Sequence, residues 1–193
     1  MRLRLVLVVV VLATTLTGCF VYSHPSYPEK WAPVENSADI CDVLPGDYTN
    51  SGEEGDPARG HVPSLAAILF EQRKPATNVR IQKMGESAEG EAAFLLTAES
   101  SGTLVASRTI AGKCGSPFFS VPPVAPKNFL MQEGVLAYEN TSLDVGVATD
   151  GALVVHATDS GIGLMMGLPA GGSEYRWLRY PRVTDVRKGQ ASP

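Results

Sequence analysis

A chain of 193 residues with 16 basic and 20 acidic side chains carries a net charge of −4 and never places more than two Lys or Arg in a row. That balance excludes the electrostatic footprint of a nucleic-acid binder and any charge-driven adsorption to an anionic membrane. The length suits one domain with a proper core, since about 150 residues bury roughly 70% of the surface their unfolded chain exposes.

Arg2 and Arg4 precede an unbroken apolar run from Leu5 to Leu12, and small and hydroxyl residues lead from there to Leu16-Thr17-Gly18-Cys19. The stretch from Leu5 to Thr17 is too short to span a bilayer, which takes about 20 helical residues. The order basic, apolar, small is that of a secretory signal. Leu16-Thr17-Gly18-Cys19 resembles the lipobox of bacterial lipoproteins. The resemblance implies removal of residues 1–18, acylation (palmitate-type chains) on Cys19, and attachment to a membrane through those chains. Each buried methylene contributes about 0.8 kcal/mol, so two or more chains anchor stably. Phe20 stands where an aspartate marks inner-membrane retention in such lipoproteins, which implies the outer membrane with the domain facing the periplasm. Cleavage would remove Arg2 and Arg4 and no acid, leaving the lipid alone to hold the chain.

Residues 19–38 read as a lipidated flexible tether. Pro25, Pro28 and Pro33 interrupt them, apolar periodicity is lacking, and the nineteen residues after Cys19, if extended, would reach roughly 60 Å. A single β-rich domain is expected over 39–183. With Cys19 assigned to lipid, Cys41 and Cys114 remain, and in an oxidising compartment they most simply form a disulfide. Closing that loop contributes about 4 kcal/mol in the chain-entropy model. The segment Cys41-Asp42-Val43-Leu44-Pro45-Gly46-Asp47-Tyr48 is similar to a C-x-x-L-x-G-x-Y pattern of small proteobacterial lipoproteins without an assigned function. Its Gly46-Asp47-Tyr48 resembles the G-x-W that opens the first strand of lipocalins.

Ser64 can cap a helix with Leu65, Ile68 and Leu69 on its apolar stripe, Arg73 and Lys74 in its last turn and Pro75 as its stop. From Val79 the periodicity turns to two. Val79 and Ile81 alternate with polar residues, runs 92–98 and 103–111 flank a hairpin signal at Ser100-Ser101-Gly102, and Phe118 to Val121 forms a short strand. Val145 to Thr149 and Leu153 to Ala157 flank Asp150-Gly151, which suits a type I′ turn. Further turns at Asp159-Ser160-Gly161 and Pro169 to Ser173 deliver strands near 162–168 and 174–180, and residues 184–193 form a disordered tail. Hairpin spacing without long crossovers predicts a mainly β fold: an antiparallel meander forming a barrel, lipocalin-like barrels included, or a sandwich, with one short N-terminal helix.

Candidate chemistry is sparse. His24, His61 and His156 show no i, i+4 spacing. His61 with Glu54 and Asp56 reads as a solvated loop rather than a metal cluster. His156, Asp159 and Ser160 lack a G-x-S-x-G elbow, so Asp159-Ser160-Gly161 reads as turn chemistry. Gly161 to Gly167 departs from a dinucleotide loop by one residue and lacks its strand–helix context. Met165 and Met166 fall on opposite faces of a strand and cannot clamp one copper. No catalytic, cofactor or metal residues are assigned. Tyr175, Trp177 and Arg179 share one face of the last strand, and this residue mix suits either an interaction face or closure of a core. The sequence thus predicts a lipid-anchored, non-catalytic binding or structural accessory of the envelope, with a lipocalin-like carrier of a small apolar ligand as the alternative. Its partners are the membrane, through Cys19, and an envelope protein or apolar ligand that the sequence does not identify.

Overall fold

Alternation of apolar side chains decides which way each strand faces. The strands are β1 (Cys19–Ser23), β2 (Gly46–Thr49), β3 (Glu53–Glu54), β4 (Asn78–Glu86), β5 (Glu91–Ser100), β6 (Thr103–Cys114), β7 (Phe119–Val121), β8 (Lys127–Gln132), β9 (Val135–Val147), β10 (Leu153–Met165) and β11 (Leu168–Tyr180), with helices α1 (Ile40–Val43) and α2 (Leu65–Phe70). This computed structural model describes residues 19–183 apart from 24, 38, 57, 59, 71–74, 87–90, 122–126, 133–134 and 166–167. The expected signal segment 1–18 and tail 184–193 lie outside the described residues.

The fold is mainly antiparallel β. The sheet runs in the order β1-β11-β10-β9-β7-β6-β5-β4-β2, with β3 pairing β11 and β8 pairing β9 off that path. Two compact units divide the chain. The described residues of the smaller fall within Met1–His24, Pro123–Ser142 and Thr158–Tyr175, and those of the larger within Pro25–Pro122, Leu143–Ala157 and Arg176–Pro193.

In the larger unit, period-two alternation points one face of every strand at a single core. Ala92, Phe94, Leu96 and Ala98 of β5, Phe119 and Val121 of β7, Leu143, Val145 and Val147 of β9, and Leu178 and Tyr180 of β11 are all buried. Leu65, Leu69 and Phe70 of α2 join them, and Phe94 meets Phe119 edge-on at 4.9 Å. Burying each such side chain stabilises the fold by about 1.5–3 kcal/mol. The sheet curls until its ends meet. Tyr48 bridges Arg182, the Thr49 N–H donates to the Pro181 carbonyl (2.9 Å), and the Val183 N–H donates to that of Asp47 (2.7 Å). Cys41 and Cys114 form the disulfide, with Cα atoms 5.9 Å apart.

The turns differ from expectation in an instructive way. Ser101 and Gly102 both adopt positive φ, 51° and 79°, so the type I′ turn lies between β5 and β6. At the β9–β10 hairpin only Gly151 is left-handed (φ 85°), and the Asp150 carboxylate accepts from the Ala152 N–H at 3.1 Å. The result is a three-residue loop. Ala148 N–H donates to the Ala152 carbonyl and Gly151 N–H to the Ala148 carbonyl, both at 2.8 Å.

The turns expected at Asp159-Ser160-Gly161 and Pro169 to Ser173 are strand interior. Asp159 accepts from the Thr141 hydroxyl (2.7 Å), and Ser160 reaches the Asn140 carbonyl (3.4 Å). The polar groups that favour a turn locally have therefore found cross-strand partners. Ala170 to Glu174 pair in parallel with Cys19 to Ser23, which supplies the backbone partners that a turn would have left to water.

α2 begins as expected, with the Ser64 hydroxyl accepting from the Ala67 N–H at 3.2 Å. Asn50, which nothing in the sequence singled out, does more. Its Oδ1 accepts from the Ala66 N–H (2.7 Å), its Nδ2 donates to the Ala76 carbonyl (2.8 Å), and its own carbonyl accepts from the Leu65 N–H (2.9 Å). One buried amide thus ties both ends of the 65–76 excursion to β2. Replacing Asn50 by Ala leaves a donor and an acceptor buried without partners, so stability should fall by about 2–4 kcal/mol, read as a lowered urea midpoint at unchanged slope.

Burial also governs two phenols. Desolvation pushes Tyr48 up to about 12 against the opposing charge of Arg182, and pushes Tyr180 above the ordinary tyrosine range. A raised folded pKa means a contribution that is complete below the unfolded value near 10 and is lost as pH rises through 12. Stability should therefore decline from about pH 10 upward. Spectrophotometric titration should show Tyr48 and Tyr180 ionising only as the protein unfolds.

Candidate functional site

The most chemically distinctive region is the outer face of the larger unit. Period-two alternation turns Asp144 and Gly146 of β9, Val154 and His156 of β10, and Trp177 and Arg179 of β11 away from the core. Residues 25–36, within the stretch read from sequence as a tether, lie along this face. Glu35 N–H donates to the Val147 carbonyl (2.7 Å), Thr149 N–H donates to that of Pro33 (2.9 Å), and Val34 bridges Ala148. Gly146 makes the close approach feasible, since a Cβ there would sit 2.9 Å from the Phe118 ring and 3.1 Å from Val34.

Trp177 is the hub. Its indole N–H donates to the Pro25 carbonyl (3.1 Å), its ring stacks on His156 at 4.1 Å and 23°, and Tyr27 meets it edge-on at 5.2 Å. Tyr27 also contacts Trp31 edge-on at 5.9 Å and donates its hydroxyl to the Ala32 carbonyl at 2.6 Å. Such ring pairs contribute about 0.5–1.5 kcal/mol each beyond area burial. Burial raises the Tyr27 pKa, with Arg179 opposing.

Trp177 and Arg179, read as a candidate interaction face, are thus engaged within the chain. Trp177 lies outside the core, on which Leu178 and Tyr180 close from the other face of the strand. Arg179 pairs with both Glu53 and Asp150. Burial opposes ionisation of Asp150, but the Ala152 N–H and the Arg179 guanidinium outweigh it and hold that carboxyl below its ordinary range. Tyr175, the third member, belongs to the smaller unit and is half-buried.

The groups weighed for catalysis or metal binding have structural partners. Glu54, almost fully buried, receives two bonds from Arg176 (2.9 and 2.7 Å), and Arg176 also donates to the His61 carbonyl (3.1 Å). This fork fixes the 53–61 loop on β11, and its carboxylate is committed to the guanidinium rather than open to a metal. Asp39 approaches Cys41 and Cys114, but their sulfurs are bonded to each other and offer no thiolate.

Ser120 donates to Asp144 at 2.6 Å, and His156 Nδ1 lies 3.8 Å from the other oxygen of that carboxylate. The carboxylate therefore sits in the middle of the three, whereas a hydrolytic triad places the imidazole between nucleophile and carboxylate. Comparison with protein-family models, curated proteins and solved structures finds no match.

The aromatic hub makes a direct prediction. Trp177→Ala removes the ring contacts with Tyr27 and His156 and the indole hydrogen bond to Pro25, so it should destabilise the protein by about 2–4 kcal/mol and loosen residues 25–36. Trypsin should then cut after the exposed Lys30 faster than in the wild type under native conditions, with the cleavage site read by mass.

Proposed function

We propose that this chain is a lipid-anchored, non-catalytic binding or structural module of the bacterial cell envelope. Acyl chains on Cys19 hold it at the outer membrane, facing the periplasm. The observation that carries this reading is Leu16-Thr17-Gly18-Cys19 at the end of an apolar run behind two arginines. The Cys41–Cys114 disulfide is in keeping with an oxidising compartment. The acidic chain supplies no attraction of its own to an anionic surface, and lipid is the anchor that the reading requires.

Two observations support a module over a carrier or an enzyme. Tyr48, Tyr180, Phe94, Phe119, Leu65 and Leu96 are among the large side chains exposed by less than 2%, so the inner face of the larger unit is occupied by its own residues. Asp144, rather than His156, stands at the centre of the Ser120–Asp144–His156 group. In this reading the module meets its partner through its surface.

Intact mass of the membrane-derived protein should show loss of residues 1–18 and a diacylglyceryl-type addition on Cys19, and Cys19→Ser should abolish both. An unmodified Cys19 overturns the anchor. An apolar molecule that reproducibly accompanies the purified chain in native mass spectrometry overturns the module in favour of the carrier.

A further inference from the structure

In the smaller unit, β1 pairs in parallel with β11, and its first residue, Cys19, stands opposite Ala170. Ala170 is only two residues from the start of β11 at Leu168. Strands lie about 4.8 Å apart and rise about 3.3 Å per residue. The sulfur that the lipobox reading acylates therefore belongs to a residue beside the end of the β10–β11 hairpin, and Leu168 lies about 7 Å further out in the direction from which β1 starts.

The sequence at that end has a matching character. From Ser160 to Ser173 the chain holds no Asp, Glu, Lys or Arg, and both strand ends are apolar: Ile162 to Met165 closing β10, Leu168 to Ala170 opening β11. Ile162 is 65% exposed, the highest exposure among the large hydrophobic residues of the described chain. β1 covers the edge of β11 from Ala170 to Glu174, up to the level of Cys19.

We infer that the β10–β11 hairpin end is a second membrane contact, inserted into the headgroup–acyl boundary of the bilayer beside the acylated Cys19. This deepens the lipid-anchor reading and rests on it for the orientation. Acyl chains that enter the bilayer fix Cys19 at its surface, and the hairpin end, which reaches past Cys19, then meets the depth of about 5–10 Å at which interfacial apolar groups settle. The charged residues that flank the stretch, Asp159 and Glu174, lie on the far side of Cys19 from the hairpin end and remain in water.

The test uses the full chain carrying Ile162→Cys. With Cys41 and Cys114 in a disulfide and Cys19 acylated, the new thiol is the only free one, and it takes an environment-sensitive nitrobenzoxadiazole probe. The protein is reconstituted into vesicles of phosphatidylethanolamine and phosphatidylglycerol, and Met84→Cys, 62% exposed in the other unit, serves as the reference. The expected result is at least a doubling of emission with a blue shift at residue 162, quenched by lipids spin-labelled near the headgroup, with the probe at residue 84 unchanged. An aqueous spectrum at residue 162 in protein whose mass shows acylated Cys19 overturns the hairpin contact and leaves the anchor standing. If the mass shows an unmodified Cys19, the anchor reading falls. In that case Cys19 is itself a free thiol, so the probe is placed on a chain carrying both Cys19→Ser and Ile162→Cys; a residue-162 probe that stays aqueous when this chain is mixed with vesicles overturns the hairpin contact too, and a blue-shifted one upholds it.

Discussion

The outer edge of β11 is the constraint on which the rest of this structure depends. A strand of thirteen residues offers a row of N–H and C=O groups to whatever lies beside it, and leaving them bare invites pairing with another chain. Three separate segments of this chain meet that demand. β1 covers residues 170–174, β3 covers 178–179, and the short ladder with β2 takes over at 181–183. The β3 cover is itself held by side chains. In the larger unit, Glu54 on β3 grips Arg176, Glu53 grips Arg179, and the Tyr180 hydroxyl donates to the Pro63 carbonyl at 2.8 Å. A buried fork of this kind is weak evidence for net stability, because desolvating two charges offsets much of their attraction. Its effect is on register: moving β3 by one residue would turn the Glu54 side chain to the other face of the sheet and take that buried carboxylate away from the Arg176 guanidinium.

Sequence reading recovers what is periodic and misses what is local competition. Val79, Ile81, Leu153, Val155 and Ala157 announce their strands because burial on one face requires a period of two. Cys41 and Cys114 announce their bond because Cys19 reads as a lipobox cysteine, which leaves one pair. The turns are harder, since Asp, Ser and Gly favour a reversal only where no cross-strand group competes for them. Asp150 keeps its carboxylate on the Ala152 N–H and settles into a three-residue loop, while Ser101-Gly102 takes the left-handed pair that type I′ requires. Asp159 and Ser160 stay in strand because Thr141 and Asn140 stand opposite.

The aromatic face was legible as composition but not as contact. Trp177 lies 146 positions along the chain from Trp31, and only the fold reveals that both belong to one cluster around Tyr27. Asn50 gave no signal at all, because a buried amide joining a helix start to a loop end has no spacing rule. The stretch around Pro25, Pro28 and Pro33 looked like a tether for a related reason. Proline removes helical and central-strand options, but it leaves a chain free to lie extended against a sheet and accept hydrogen bonds through its carbonyls. The carbonyls of Pro25, Pro28 and Pro33 all accept here.

That docking changes what an anchor at Cys19 would mean. A flexible stretch of nineteen residues would let a domain sample a shell tens of ångströms deep, and its surface could meet partners in almost any orientation. Here Cys19 to Ser23 is already strand, and the Pro25 carbonyl accepts from the Trp177 indole. An acyl group on Cys19 would then be joined almost directly to folded structure, and the freedom between lipid and β-sheet would shrink to a few torsions. Such an attachment fixes which end of the smaller unit faces the bilayer. It thereby turns a chain-wide question about membrane contact into a local one, decided by the residues level with Cys19 in the sheet. Those residues are uncharged, and from Ala170 to Glu174 the strand that carries them has its edge paired with β1. The proposed contact rests on that coincidence, an uncharged hairpin end beside the residue proposed to carry the lipid.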